Sequence, residues 1–297
     1  MSGTYIVEQL INGICQGSIY ALTAIGYAII VGIIGVVNFA YGDVVMLGAF
    51  GAYFGSRLFG NNLLLGLLVG FVTSALIGVV VQKICVGHFV NGGGSAGGVP
   101  LLCLISMSMI LKSLAQVLFG PEYKPYPSFI EQKTIQIGAI RLTLLQIIII
   151  CIVLVLCIFL SIFLKTRTGL MLRAVRLDKK AAALTGIDVS KMTSLGCFLG
   201  YGVAGMSGVL LGLYYGLLSP LMGSGTGMKA FSAAALGGMT DISASALGGV
   251  IIGIMENMGV MLISVAFRDI IAFAFLIIVL LLKPTGFKLS FRKGKKA

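Results

Sequence analysis

Charge is scarce in this sequence, because Asp, Glu, Lys and Arg together make up 10% of its 297 residues, whereas 58% are hydrophobic. An average soluble domain has about 25% charged residues. The mean hydropathy is +1.09. The composition therefore excludes a soluble globular protein and predicts a chain that crosses a membrane several times.

Residues suited to catalysis or metal binding are also lacking. The sequence contains one histidine, His88, and six cysteines that lie in or beside apolar segments without the spacing of a metal site. It has no nucleophile paired with a base, and its Gly-rich loop, 87–98, lacks the Gly-Lys-Ser/Thr ending of a phosphate-binding loop. We therefore predict no metal, no disulfide and no catalytic site in this chain, which leaves transport as its function.

Acidic residues are outnumbered, with 9 Asp and Glu against 21 Lys and Arg, and the formal net charge is +12. The basic residues concentrate in 165–191 and from Lys283 onward. Short loops rich in Lys and Arg stay on the cytoplasmic side, so we predict that 165–191 and the basic tail 284–297 are cytoplasmic and that the N-terminus is outside. This distribution is typical of membrane topology and not of a nucleic-acid-binding surface.

Long apolar runs predict an all-α fold. A helix needs about 20 residues to cross a bilayer, and the segment 228–242 is too short for a straight crossing and is interrupted at Gly237-Gly238. A second interruption lies at 38–42, and paired interruptions in two halves indicate a possible internal repeat beside a transport path. We predict one transmembrane domain, 1–297, folded as a helical bundle of about 8–10 spans including broken segments. The full spans are predicted at 6–37, 44–59, 63–81, 100–119, 142–164, 192–218, 244–265 and 270–282, with a polar loop at 120–141 and a turn at 219–227.

The interruptions and the ionisable residues at membrane depth mark a candidate substrate pathway. Non-helical backbone at this depth is tolerated only beside protein or a water-filled cavity, and ionisable side chains there face a cavity or a partner. Two of them have alternative interpretations, since Asp43 could cap a helix that begins at Val44 and Glu256 could make a structural contact between helices. Lys112 is expected to snorkel to the membrane surface. The candidate residues are Asn38, Phe39, Gly42, Asp43, Lys229, Gly237, Gly238 and Glu256.

The segment 165–191 is the longest polar interruption and contains seven cations and two acids. Good helix formers between Arg173 and Gly186, with Gly186 in the C-cap position, predict one short surface helix. Such a helix is either a solvated linker or a handle by which another protein grips the membrane part.

Several short motifs, in their order and spacing, resemble the permease subunits of bacterial branched-chain amino-acid ABC importers, within a wider group that includes ribose, nucleoside and urea permeases. The resemblance extends over nearly the whole chain. The motifs are Asn38-Phe39-Ala40-Tyr41-Gly42-Asp43 with Leu47-Gly48-Ala49, Arg167-Thr168-Gly169 with Arg173-Ala174-Val175, Ala182-Ala183-Leu184-Thr185-Gly186-Ile187, Lys229-Ala230-Phe231, Leu236-Gly237-Gly238, Gly248-Gly249 with Gly253 and Glu256, and Lys283-Pro284-Thr285-Gly286.

The resemblance implies a multi-pass protein of the bacterial cytoplasmic (inner) membrane that pairs with a second, identical or different, permease subunit. It also implies two cytoplasmic ABC ATPases, which would hold ATP and Mg, and an extracytoplasmic solute-binding protein. No cofactor is expected in this chain, and the surface helix would be the coupling helix. The residues expected to couple to the ATPase are Arg173, Ala174, Arg176, Lys179, Lys180, Ala182, Leu184, Gly186 and Ile187.

The expected solute is leucine, isoleucine, valine or a related small molecule. Urea, a nucleoside or a sugar is the alternative within the wider group. An autonomous secondary transporter or channel would also explain the spans, but it has no need of a helix on which an ATPase docks.

Overall fold

The computed structural model describes residues 3–87, 98–129, 134–137, 140–239, 241–264 and 267–282. The predictions for His88, for most of the Gly-rich loop and for the basic tail fall outside these ranges. The described residues form eleven α-helices and four short strands. These are α1 (Gly3–Ile34), α2 (Tyr41–Phe59), α3 (Leu63–Gln82), α4 (Val99–Phe119), β1 (Lys124–Pro125), β2 (Thr134–Ile137), β3 (Ile140–Thr143), α5 (Leu144–Phe163), α6 (Arg167–Leu177), α7 (Lys179–Leu184), α8 (Val189–Tyr215), β4 (Leu217–Leu218), α9 (Met222–Leu236), α10 (Ile242–Leu262) and α11 (Arg268–Leu282).

The helices form the predicted bundle. Six of them, α1, α3, α4, α5, α8 and α10, are long and apolar enough to cross a membrane, and the shorter or less apolar α2, α9 and α11 complete it. The strands pair antiparallel, β1 with β4 and β2 with β3. The first three lie between α4 and α5, in or directly after the predicted polar loop, and β4 follows α8, so all four lie at one end of the bundle. We call this the strand end, and the opposite end, which carries α6 and α7, the surface-helix end.

Helix α1 is the central helix and packs along α10 and α8. At its crossing with α10, a Cβ atom at Gly17 would lie 2.7 Å from the Val250 carbonyl oxygen, and one at Gly253 would lie 2.2 Å from the Gly17 Cα atom. Backbones this close leave no room for side chains, which is the use of small residues in membrane helix packing.

The first break in the bundle joins α1 to α2 and covers residues 35–40. Helix α1 ends at Ile34, because Gly35 adopts a φ of +84°, a conformation that glycine adopts without steric cost and that ends a helix. Helix α2 then begins inside the bundle, where the Tyr41 hydroxyl donates a 2.7 Å hydrogen bond to the Thr23 carbonyl oxygen of α1.

The predicted interruption at 38–42 is therefore displaced toward the N-terminus. Gly42 and Asp43 belong to the first turn of α2, and the residue at its N-cap is Ala40. The interpretation of Asp43 as the cap of a helix that begins at Val44 is wrong. Asp43 is itself a helical residue of α2, and its carboxylate accepts a hydrogen bond from Ser108 of α4.

Helix α9 begins where the sequence predicted a turn. Residues 222–227 form its first turns, although their three glycines have low helix propensity. Packing overrides that preference, since a Cβ atom at Gly42 would lie 2.0 Å from the Gly223 carbonyl oxygen. The glycines thus allow α9 to pack directly on the backbone of α2.

The second break, residues 237–239, follows α9 as the sequence predicted. Helix α9 ends at Leu236, and Gly238 has a φ of +77°. A Cβ atom at Gly237 would lie 2.2 Å from the Ser245 backbone nitrogen, so the break packs closely on the first turn of α10.

The predicted single surface helix is in fact two, α6 and α7, which meet at Asp178. This residue is extended, with a φ of −155°, and its carboxylate accepts hydrogen bonds from the backbone N–H groups of Lys180 at 2.8 Å and Ala181 at 3.0 Å. Asp178 therefore ends α6 and is the N-cap of α7.

Candidate functional site

A cavity of about 350 Å³ lies where the first break meets α4 and α9. Asn38 and Phe39 line it from the break, and Tyr27 lines it from α1. Helix α4 contributes Ile105, Ser108, Met109 and Lys112, and α9 contributes Ser224, Gly227, Met228 and Phe231. The cavity thus brings together two of the predicted pathway residues with polar and aromatic side chains from three helices.

Asn38 holds the first break in place. Its backbone N–H donates to the Tyr27 hydroxyl at 3.2 Å, and its side-chain oxygen accepts from the Ala40 N–H at 3.0 Å. Its side-chain amide also donates to the Tyr201 hydroxyl of α8. Two of the backbone N–H groups released by the break, those of Asn38 and Ala40, are therefore satisfied inside the protein, as membrane depth requires.

Aromatic rings form the apolar wall of the cavity. The Phe39 ring centroid lies 6.5 Å from that of Phe231, and the Phe231 centroid lies 6.1 Å from that of Tyr27. Phe39 is 38% exposed, so part of its ring is open to a ligand or to a neighbouring subunit.

Asp43 reaches the cavity indirectly. Its side chain is buried, and one carboxylate oxygen accepts a hydrogen bond from the Ser108 hydroxyl, which lines the cavity. The other carboxylate oxygen, Oδ1, has no hydrogen-bond partner among the described residues. Lys112, expected from the sequence to snorkel, also lines the cavity. Polar groups of both signs therefore lie at or next to this wall.

Glu256 and Lys229 do not line this cavity, and they lie instead in a buried charge cluster near the strand end. Glu256 is 0% exposed, and its Oε1 atom lies 3.0 Å from the Lys229 Nζ atom and 3.0 Å from the Arg268 Nε atom. Lys229 is also 2.9 Å from the Asp269 Oδ1 atom. Two cations and two carboxylates thus meet in one place, and their formal charges sum to zero.

Gln16 is the polar centre of the charge cluster. Its side-chain nitrogen donates to Glu256 Oε1 at 3.0 Å and lies 2.6 Å from the Tyr20 hydroxyl and 2.8 Å from the Tyr215 hydroxyl. Its oxygen accepts from the Asn257 amide at 2.7 Å. Together with the ion pairs, these contacts connect α1, α8, α9, α10 and α11.

Sequence reasoning singled out Glu256 and Lys229 as pathway candidates and missed the roles of Gln16, Arg268 and Asp269. A weak signal was present for two of those missed, because Gln16 is a polar residue within a predicted span and Arg268 lies two residues before one. Gly237 and Gly238 lie apart from both the cavity and the charge cluster, at the second break.

The surface helices expose four large apolar side chains, of which Leu170 and Met171 are 54% and 39% exposed. The two most exposed end the two helices. Leu177 is 87% exposed and Leu184 is 90% exposed, whereas Ala182 is 3% exposed. Ala182, which the sequence placed among the coupling residues, therefore faces the bundle and not the solvent. Among the other coupling residues, Arg173, Lys180 and Gly186 are exposed, and Ala174, Arg176, Lys179 and Ile187 are partly buried.

The surface helices also contact the bundle next to both breaks. A Cβ atom at Gly32, near the end of α1, would lie 2.8 Å from the Arg176 Cδ atom, and the Lys179 Nζ atom donates to the Ile34 carbonyl oxygen at 3.4 Å. Burial lowers the pKa of the Arg176 guanidinium, and the carboxylate of Asp241, which precedes α10, opposes this shift. Burial likewise lowers the pKa of Lys179.

Comparison with known proteins gives a family and a set of relatives. Residues 9–280 match the family model described as "Branched-chain amino acid transport system / permease component". The chain is 33% identical over 296 residues to the high-affinity branched-chain amino acid transport system permease protein LivH of Escherichia coli (strain K12), covering 95% of both chains. It is 32% identical over 295 residues to the corresponding protein BraD of Pseudomonas aeruginosa, again covering 95% of both.

One solved structure is similar in fold. It is described as PsaBC from Streptococcus pneumoniae in complex with Fab, and it matches with a TM-score of 0.50 at 13% sequence identity, covering 92% of this chain and 91% of the other. At this identity the match supports the fold alone.

Proposed function

Because the chain belongs to the family of permease components of branched-chain amino acid ABC transport systems, we propose that the cavity between α4 and α9 is part of the path by which leucine, isoleucine or valine crosses the membrane. The proposed position of the path rests on this cavity. Its aromatic wall suits an aliphatic side chain, and Asn38, Ser108 and Lys112 suit the charged ends of an amino acid. Its volume of about 350 Å³ lies within the range of about 300–1,000 Å³ typical of small-molecule sites.

A second permease subunit, identical or different, would complete the path. Phe39 and Met109 are 38% and 66% exposed, so the cavity opens at the surface of this chain. Lys112 and Ser108 would then face hydrocarbon, which is costly for polar groups. A subunit packed against α4 and α9 would enclose the cavity and remove that cost.

Energy for transport would come from two ABC ATPases that bind ATP and Mg and dock at the surface-helix end. The contacts of Arg176 and Lys179 support this arrangement, because they place α6 and α7 against the end of α1 and near the start of α10. A movement of the surface helices would therefore act directly on both breaks. Glu256, Lys229, Gly237 and Gly238 would influence the path by holding the helices around it.

Substrate would arrive from a solute-binding protein at the strand end, on the outer side of the bacterial inner membrane.

Competition between solutes for uptake tests the substrate class. In cells without their own importer, the permease expressed with its partner permease, its ATPases and its binding protein should take up radiolabelled leucine, and excess isoleucine or valine should inhibit this uptake. Uptake without the ATPase would indicate an autonomous carrier or channel, and inhibition by urea, adenosine or ribose alone would overturn the substrate class.

Labelling of introduced cysteines tests the orientation. Tyr123 at the strand end is 69% exposed, and Leu184 at the surface-helix end is 90% exposed. In intact cells, Tyr123→Cys should react with a membrane-impermeant maleimide, and Leu184→Cys should react only after the cells are opened. The reverse pattern would place the surface helices outside and remove the basis for ATPase docking.

Substitution of Phe39 tests the cavity. Phe39→Ala should raise the leucine concentration required for half-maximal uptake about tenfold, because a loss of apolar contact worth about 1.4 kcal/mol has this effect on binding. Phe54→Ala is the matched control, since Phe54 is also on the first half of the chain, is 37% exposed and packs on Tyr53 and Phe119, away from the cavity. Equal uptake kinetics in the two variants would place the path elsewhere.

A further inference from the structure

A second polar pocket, of about 470 Å³, lies at the surface-helix end. We call it the basal pocket. It is formed where the end of α1, the end of α3, the start of α7 and the start of α8 meet, and none of its described lining residues also lines the cavity. Its lining residues are Ile34, Gln82, Lys83, Val86, Gly87, Lys179, Val189, Ser190, Thr193 and Ser194.

An unsatisfied acceptor lies in the wall of the basal pocket. Gln82 is 6% exposed, and its Oε1 atom is buried without a hydrogen-bond partner among the described residues. A buried polar group left unpaired costs about 1–3 kcal/mol. A ligand that brings an N–H donor into the pocket would recover this energy.

Donors for an anion line the same pocket. Lys83 and Lys179 contribute two ammonium groups, and Ser190, Thr193 and Ser194 contribute hydroxyl groups from the first turns of α8. The N-terminus of a helix carries a partial positive charge that adds to this attraction. Among the described lining residues there is no carboxylate that would neutralise the two lysines.

The local backbone is also unusual. Residues Lys83–Gly87 form a π-helical turn directly after α3. Such turns are rare in proteins, and those that occur are often at functional sites. This turn places Lys83 and Val86 on the pocket wall together with Gln82. Ile34, Val86 and Val189 complete the wall with apolar surface beside the polar groups.

We propose that the basal pocket binds a small zwitterion, in which a carboxylate or phosphate pairs with Lys83 and Lys179 and a protonated amine donates to Gln82. Two molecules share this chemistry, a free aliphatic α-amino acid and the ethanolamine head group of a phospholipid. The pocket's volume of about 470 Å³ accommodates either one. The basal pocket and the cavity share none of their described lining residues, so the assignment does not rest on the transport path.

Two binding measurements on the purified full-length chain distinguish the sources. In the first, radiolabelled L-leucine is added to the chain in phosphatidylcholine nanodiscs and its binding is measured. In the second, the chain is released from nanodiscs that contain phosphatidylethanolamine, and native mass spectrometry measures how much of that lipid it retains. At least one probe should bind. Two variants should each weaken the binding of that probe at least tenfold. They are Gln82→Leu, which removes the acceptor, and Lys83→Gln, which removes an exposed charge without disturbing the core.

Lys191→Gln is the matched control, because Lys191 lies at the same end, pairs with Asp188 at 3.1 Å and does not line the pocket. It should leave binding unchanged. Retention of neither probe, or retention unaffected by Lys83→Gln, would overturn the proposal. Leucine binding that survives both pocket variants but is lost in Phe39→Ala would assign the signal to the transport cavity and overturn the basal site while the proposed function stands.

Discussion

Replacement of Glu256 by alanine is expected to leave little or no folded permease in the membrane. The carboxylate lies within 3.0 Å of Lys229 and Arg268, and the side chain of Lys229 is 8% exposed. Its removal leaves two cations with one carboxylate, Asp269, which pairs with Lys229 from the exposed side of the cluster. Breaking a buried ion pair on one side costs about 3–5 kcal/mol, which is a large part of the stability of about 5–15 kcal/mol typical of a folded domain.

Gel filtration of a fluorescent fusion measures the amount of folded protein, and the midpoint of its thermal unfolding measures its stability. Asp269→Asn is the control, because that side chain is 62% exposed and an exposed ion pair is worth about 0–1 kcal/mol. The double variant Glu256→Leu with Lys229→Met should recover part of the lost protein, since no unpaired lysine stays buried. If Glu256→Ala instead folds normally and only uptake is lost, the carboxylate acts in the transport path and not in holding the helices.

Acidic substitution of the two most exposed leucines on the surface helices is expected to abolish ATPase docking. Leu177 and Leu184 are 87% and 90% exposed, and large apolar side chains at the centre of an interface carry much of its binding energy. Leu177→Asp with Leu184→Asp should therefore lose the co-purified ATPase and the substrate-stimulated ATP hydrolysis in liposomes. Lys180→Ala removes only a charge at the rim and should weaken docking modestly.

The matched control for this experiment is Lys191→Gln, an exposed change outside α6 and α7. Ala182→Glu is less informative, because Ala182 is buried and a charge there would disturb the packing of α7 itself. Full docking and coupling in the double aspartate variant would show that the leucines rest on the membrane and that the helices are a solvated linker.

Long spans were predictable from the sequence because each one carries its own signal. Apolar runs predicted α3, α4 and α5 within a few residues of their ends, and the glycine pair at 237–238 predicted the second break. The boundary at Asp178 was also readable in principle, since an Asp before Lys-Lys-Ala-Ala is typical of an N-cap.

The charge cluster was not predictable in the same way. Gln16 and Glu256 are separated by 240 positions, and nothing in either local sequence indicates the other as its partner. The start of α9 was missed for a related reason, because residues 222–227 have the composition of a turn and become helical only through packing on Gly42. Local patterns predict elements, whereas these two features depend on tertiary contacts.

The glycine crossing between α1 and α10 also determines which parts of the chain can move during a transport cycle. A shift of either helix by one residue would replace Gly17 or Gly253 with a side chain where a Cβ atom would lie 2.2–2.7 Å from the opposite backbone. Closely packed interfaces of this kind do not deform gradually. We therefore expect α1 and α10 to form a rigid frame. The proposed path would open and close through α4, whose Met109 and Val117 are 66% and 82% exposed, and through the two broken segments.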